Sequence, residues 1–337
     1  MNSRDDDPVF ISVIVPIFNE EGSISEFHRR MTAVLKGMGE SYEILYVNDG
    51  SRDSSPALLR ERCAQDSNVK LIDFARNFGH QAAISAGMDH ARGQAIVVID
   101  SDLQDPPEVI PRLVEKWQEG FDVVYAVREK RKGDTWFKKW TAAVFYRVLR
   151  RITAVDIPVD TGDFRLMSRR ALEAFKGLRE RHRFIRGMVS WIGFRQTGVL
   201  FVRDERYAGE TKYPLKKMLK FAFDGITSFS FMPLQLATYF GFFTSITAFL
   251  GIMVVVGLRL FTSIPLPGWA SLMVCTLLLG GVQLITLGII GEYIGRIYDE
   301  VKGRPLYIVQ DAFNMDAGAP SPKVTLAGTQ DRDQVSY

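Results

Sequence analysis

Along the first 130 residues, short and nearly continuous apolar runs alternate with stretches whose apolar residues recur at three- and four-residue spacing. The runs are FISVIVP (10–16), YEILYVND (42–49), VKLIDFA (69–75), AIVVID (95–100) and DVVYAVR (122–128). Helical spacing appears in Ile24, Phe27, Met31, Val34 and Leu35, and again in Val109, Ile110, Leu113, Val114 and Trp117. Strands that are apolar on both faces, separated by helices, predict an α/β domain with a mainly parallel sheet covered on both sides. The last third has a different pattern. No charged residue occurs from Gly225 through Leu258, and after Arg259 none until Glu292. Each run exceeds the roughly 20 residues that carry a helix across a bilayer. The segment RLFTSIPLPGW between them, with two prolines and a glycine, ends one helix and turns the chain. Two transmembrane helices are predicted, at about 234–258 and 269–290.

This division explains a mean hydropathy near zero, which averages a charged domain with an apolar one. Lys212, Lys216, Lys217 and Lys220 precede the first span, Arg296, Lys302 and Arg304 follow the second, and the connecting loop offers only Arg259. The positive-inside tendency then places both ends in the cytoplasm. The stretch PLKKMLKFAF (214–223) sets apolar residues against lysines and reads as a helix lying on the membrane surface. The predicted order is a tail (1–9), the α/β domain (10–212), an interfacial amphipathic region (213–232), the two spans (233–292), a cytoplasmic segment (293–315) and a disordered tail (316–337). The start MNSRDDDPVF lacks the apolar region of a secretory signal. Cys63 and Cys275, one in the charged part and one in an apolar run, are read as reduced. The net charge of +3 is ordinary for a folded protein, and no nucleic-acid partner is expected.

The candidate chemistry lies where the strands end. PIFNEE follows the first strand, NDGSRD the second, RNFGHQ the third and DSDLQDPPE the fourth. In an open parallel sheet all four clusters share the carboxyl edge, where ligands bind. Neither GxGxxG nor GxxxxGK[ST] occurs, so the usual backbone cradle for a diphosphate is missing. Carboxylates repel a diphosphate unless a divalent cation lies between them, and Mg²⁺ commonly binds one or two carboxylates plus substrate phosphates. Asp100 and Asp102 fit that pattern, with Asp49 on the same edge. Asp105, Pro106 and Pro107 read as the start of the next helix.

The ordered set SVIVPIFNEE, VNDGSRD and DSDLQDPPE resembles the nucleotide-sugar domain of family 2 glycosyltransferases. RNFGHQAAISAGMDHARG, TGDFRLMSR, RFIRGMVSWIGF, GETKYPLKKMLKFAFDGI and GIIGEYIGRIYDEVKGRP extend the likeness. They point to the polyprenyl-phosphate sugar transferases, which include dolichyl-phosphate mannose synthases and bacterial undecaprenyl-phosphate glucosyltransferases. The resemblance covers about residues 10–310. It implies a GT-A fold, an Mg²⁺- or Mn²⁺-dependent UDP-sugar donor site, and inverting transfer, best matched by glucose, to undecaprenyl phosphate at the cytoplasmic face of a bacterial inner membrane. Pro16, Asn19, Glu20 and Asp49 would line the nucleoside pocket. Asp100 and Asp102 would hold ribose and metal, with Gln104 completing the metal shell. Arg128, Arg131, Arg206 and Lys212 would approach the phosphates of donor or acceptor. Asp163, with Asp160 as its rival, would act as a base or orient the acceptor. A homo-oligomer such as a tetramer is implied by the family alone. Other readings are a different donor (aminoarabinose or an N-acetylated sugar), a different lipid acceptor such as diacylglycerol, or a non-catalytic membrane scaffold. The processive-synthase motif QxxRW is absent.

Overall fold

The strand-like runs become strands, and their apolar character is spent on burial. In the computed structural model, which describes residues 9–129, 161–202, 232–261 and 268–315, every residue of β1 (Ile11–Ile17) is buried. It is followed by α1 (Ile24–Met38), β2 (Tyr42–Asn48), α2 (Ser55–Gln65), β3 (Val69–Phe74), α3 (His80–His90) and β4 (Ala95–Val98). After a 3₁₀ turn at Pro107–Val109 come α4 (Ile110–Gln118) and β5 (Val123–Arg128). Helix α1 buries Ile24, Phe27, Met31 and Leu35, each burial worth about 2 kcal/mol as an upper estimate. It ends at Gly39, whose left-handed backbone lets its N–H donate to the carbonyl of Lys36.

β6 (Thr161–Ser168) is fully buried and runs into α5 (Arg169–Lys176), where the Ser168 side chain caps the helix by accepting from the N–H of Ala171. α6 (Ile185–Trp191) and β7 (Gln196–Phe201) follow. The long apolar helices are α7 (Met232–Phe261) and α8 (Gly268–Val301), after which the chain forms β8 (Val309–Phe313). The eight strands make one sheet in the order β7-β5-β6-β4-β1-β2-β3-β8. Its centre is parallel: β1 pairs with β2 and β4, and β2 with β3. β6 lies antiparallel between β4 and β5, and β8 antiparallel on β3, so the sheet is mixed.

The chain divides into two compact units. One comprises the described residues up to 202 together with those from 303 onward; the other lies within 219–302. In the second unit α7 and α8 are long and apolar enough to cross a membrane, and none of the most apolar window of either is buried. α8 continues past the predicted end at 290, because Glu292 is carried within the helix by an i,i+4 pair with Arg296 at 3.1 Å. Within the segment 293–315, residues up to Val301 continue α8, and Val309–Phe313 form a strand of the α/β sheet. The expectation for Asp105 also changes. Its side chain is buried and faces Arg128 at 3.7 Å, and the 3₁₀ turn before α4 has no side-chain cap. The interfacial region 213–231, and with it Lys212, Arg206, Arg131 and Asp160, lies outside the described residues.

Candidate active site

The carboxyl ends of β1, β2, β3 and β4 do converge. A cleft of about 310 Å³ is lined by Pro16, Glu20, Asp49, His80, Asp100 and Asp102, among others. Its walls are loops tied to one another rather than to solvent. Asn19 adopts a left-handed backbone (φ 54°), which asparagine tolerates, and its side-chain oxygen accepts from the N–H of Arg52 at 2.9 Å. The N–H of Glu20 donates to Ser55 Oγ at 3.0 Å. These bonds join the loop after β1 to the loop after β2.

Asp49 joins the second loop to the third. Its carboxylate accepts from the N–H groups of Phe78, at 2.6 Å, and Gly79, at 3.0 and 3.2 Å. Burial raises its pKa, and the backbone donors partly offset that. The close approach depends on Gly50, where φ is 67° and a Cβ would lie 2.5 Å from the backbone carbon of Arg76. Only glycine lets these two loops meet.

The DSDLQ turn holds a second unusual backbone. Leu103 has φ 60°, which is costly for a leucine, yet its side chain is buried in the core. Anchoring Leu103 inward fixes Asp102 on the cleft side, where Asp102 Oδ1 accepts from the N–H of Gln104 at 3.1 Å. Asp100 Oδ1 is buried without a hydrogen-bond partner and stands 3.6 Å from His80 Nε2. Burial, first, and the charges of Asp163 and Asp102 raise the Asp100 pKa against the pull of His80.

Asp163 reaches the same place through the antiparallel pairing of β4 with β6. Val98 lies opposite Arg165, and continuing that register sets Asp163 across from Asp100. Its carboxylate meets three cationic groups: His80 Nε2 at 3.2 Å, Arg186 Nε at 3.0 Å with Nη2 at 3.2 Å, and Arg165 Nη2 at 3.2 Å. Burial opposes ionisation, but these partners prevail and hold the carboxyl well below the usual range. For His80, burial pulls downward, while Asp163 and Asp100 prevail and raise it to about 8. Arg165 is only 1% exposed, so its charge depends on this pairing. Arg128, at the end of β5, lies against Gly162, where a Cβ would come within 2.7 Å of its Nη2.

The expected residues Pro16, Glu20, Asp49, Asp100 and Asp102 thus share one cleft, and Asp163 adjoins it through His80. Asn19 and Gln104 contribute through their loops, and Arg128 stands beside Asp105. No spacing in the sequence singles out His80 or Arg186, although both lie in segments that carry the family likeness. Their common partner Asp163 is 83 residues from one and 23 from the other. Among the described residues, no group of three His, Cys, Asp or Glu side chains forms a ready metal cage. A pair of carboxylates with an unpartnered buried oxygen does suit Mg²⁺ or Mn²⁺, whose remaining ligands would come from substrate phosphates and water.

Fold and site define an α/β protein with an acidic cleft at the carboxyl edge of its sheet. The family model described as glycosyl transferase family 2 matches residues 12–175. The uncharacterized glycosyltransferase YkcC of Bacillus subtilis is 59% identical over 305 residues, covering 90% of this chain and 94% of that protein. The SfII prophage-derived bactoprenol glucosyl transferase of Shigella flexneri is 45% identical over 301 residues, covering 89% of this chain and 97% of that protein. Among solved structures, glucosyl-3-phosphoglycerate synthase from Mycobacterium tuberculosis aligns with a TM-score of 0.45 at 20% identity. That alignment covers 64% of this chain and 75% of the other, a likeness too low to bear on the site. The chain belongs to glycosyltransferase family 2, and its mixed, centrally parallel sheet with crossover helices is the GT-A architecture expected there.

Proposed function

We propose that this protein transfers a sugar, glucose from UDP-glucose, to the phosphate of undecaprenyl phosphate at the cytoplasmic face of a bacterial inner membrane. The observation that carries this reading is the convergence of Asp100, Asp102, His80 and Asp163 at one end of a cleft beside Asp49. Relatives named bactoprenol glucosyl transferase, similar over nearly the whole chain, support the lipid acceptor and the sugar. The two apolar helices support residence in the membrane where such a lipid lies.

In the transfer, an acceptor phosphate oxygen bonds to the anomeric carbon as the bond from that carbon to the donor's β-phosphate oxygen breaks. The nucleoside diphosphate leaves with the electron pair, and attack from the opposite face inverts the centre. A phosphate monoester has its second pKa at about 6, so the attacking oxygen is mostly anionic at neutral pH and needs no strong base. This fits the state of Asp163, whose carboxylate is already engaged by Arg165, Arg186 and His80. Asp163 is a positioning residue in this reading, holding His80 and Arg186 as fixed cations near the converging phosphates. Asp100 and Asp102 would hold a divalent cation, which when bound neutralises the departing diphosphate. Asp49 acts one step removed, fixing the Phe78–Gly79 backbone along the donor cleft. Phe18, 46% exposed at the cleft, offers a ring face to a nucleobase.

The test uses membranes containing the full chain, undecaprenyl phosphate and a panel of nucleotide sugars, with lipid products identified by mass spectrometry. The expected product is a glycosylated undecaprenyl phosphate from UDP-glucose that disappears on chelation and returns with Mg²⁺ or Mn²⁺. Asp102→Asn is expected to lower the rate by 10²-fold or more, on the order of losing one strong electrostatic contact in the transition state. No glycolipid from any donor would refute the transfer; full activity of Asp102→Asn in chelator would refute only the metal assignment.

A further inference from the structure

Helix α3 starts at the cleft, and one of its faces binds three other parts of the chain. Gln81, Ser85 and Asp89 follow one another at four-residue spacing, which stacks them on one side of a helix. Asp89 accepts from the hydroxyl of Tyr307 at 3.0 Å, just ahead of β8. Ser85 Oγ accepts from Arg183 Nη1 at 2.9 Å, and Arg183 Nη2 donates in turn to the carbonyl of Leu178 at 2.9 Å. Those two bonds fasten the loop between α5 and α6. The third contact lies nearest the charge cluster: Gln81 Oε1 accepts from the N–H of Ile185 at 3.0 Å, across 104 residues of sequence.

The place of this last bond sets it apart. Ile185 opens α6, so its N–H has no partner within the helix, and Phe184 before it supplies no side-chain cap. Ile185 is also buried, where an unmade bond is costly. Gln81 therefore caps α6 from another helix. The residue after Ile185 is Arg186, which grips Asp163 through Nε and Nη2; the residue before Gln81 is His80, which meets the same carboxylate. Successive residues of a helix point about 100° apart. His80 can thus face Asp163 while Gln81 faces α6. The far end of α6 is held separately, since Gln196 Nε2 donates to the carbonyl of Val189 at 3.0 Å. Losing the Gln81 bond frees only the end that carries Arg186.

We infer that Gln81 is a positioning residue that acts through Arg186: by capping α6 it sets the guanidinium against Asp163, beside the converging phosphates. The inference rests on the proposed function, in which His80 and Arg186 are the fixed cations of the transfer. Asp49 accepts from the N–H of Gly79, so the start of α3 is itself tied to the cleft. One helix start then places both cations, His80 directly and Arg186 through Gln81. Fixed cations act on the charge that moves in the transition state, so loosening one lowers kcat with little effect on donor binding.

The experiment measures kcat and KM for UDP-glucose with undecaprenyl phosphate, using the purified full chain in detergent, for the parent protein, Gln81→Met and Gln81→Glu. Amide hydrogen exchange of α6 is followed in the same three proteins. Methionine keeps the helix propensity of glutamine but has no carbonyl acceptor, whereas glutamate keeps an acceptor oxygen. Gln81→Met should lower kcat about tenfold, on the order of a small misplacement of a charged group, with KM for UDP-glucose within about twofold of the parent. The Ile185 amide should exchange about tenfold faster, with the centre of β1 unchanged. Gln81→Glu should recover most of the kcat and the slow exchange. A parent-like kcat in Gln81→Met, or equal losses in both variants, would overturn the inference and leave the proposed function intact. Absence of glycolipid from the parent itself would overturn the proposed function, and the inference with it.

Discussion

The carboxylate of Asp163 stands among three cationic groups, and its stability contribution follows from them. Its folded pKa lies below the unfolded value of about 3.9, so its contribution is fully present above that value. The contribution is lost as pH falls through the lowered folded value, because protonation then breaks its pairing with Arg165 and Arg186. Asp163→Asn should therefore flatten the acid side of the stability profile, measured as the unfolding midpoint of the full chain in detergent from about pH 7 downward. At neutral pH the same variant should cost about 3 kcal/mol, because Arg165, 1% exposed, loses the charge that justifies its burial. An unchanged midpoint at neutral pH would mean that Arg165 is satisfied by the backbone carbonyls of Gly162 and Asp163, to which it also donates.

The elements that were legible in the sequence are those whose burial is uniform. β1 through β5 announce themselves as apolar runs, and α7 and α8 as charge-free ones. Asp49, Asp100 and Asp102 were legible for the same reason, since each follows directly on such a run. β8 was not, because VQDAF is an edge strand that leaves Gln310, Asp311 and Ala312 exposed and carries no alternating pattern. The partnership of Asp163 with His80 and Arg186 was hidden too, because it arises from strand register and no local spacing encodes it. A contact chain makes β8 consequential: Tyr307 stacks on Phe74, Phe74 meets Phe78 edge-on at 5.7 Å, and the Phe78 N–H donates to Asp49. Tyr307→Ala should accordingly loosen the loop after β3. In hydrogen exchange, the Phe78 and Gly79 amides should exchange about tenfold faster, with the centre of β1 unchanged. Tyr307→Phe, which keeps the stack and loses the bond to Asp89, should fall between. Equal exchange at that loop in Tyr307→Ala and the parent would show that β8 merely covers an edge.

At the scale of the whole chain, the informative fact is that one folded unit contains residues from both before and after the apolar pair. β3 and β8 are hydrogen-bonded neighbours, although residues 232–261 and 268–301 intervene as long apolar helices. A chain that leaves a folded unit, enters a membrane and returns to complete the same sheet has to cross an even number of times. Two spans meet that condition, and it agrees with the lysines and arginines flanking the pair. The physical basis is stronger than the charge rule, because reversing either crossing would leave the polar edge of β3 without the strand that pairs it. The prediction is that the two flanks of the pair lie on one side and residues 262–267, between the helices, on the other. In cells carrying a form without Cys63 and Cys275, a membrane-impermeant thiol reagent should label Ser263→Cys from outside. Lys302→Cys should be labelled only after the membrane is opened. Labelling of both from outside, or of neither until opening, would place residues 262–267 and the β8 side together. The two helices would then be an interfacial hairpin rather than a pair of spans.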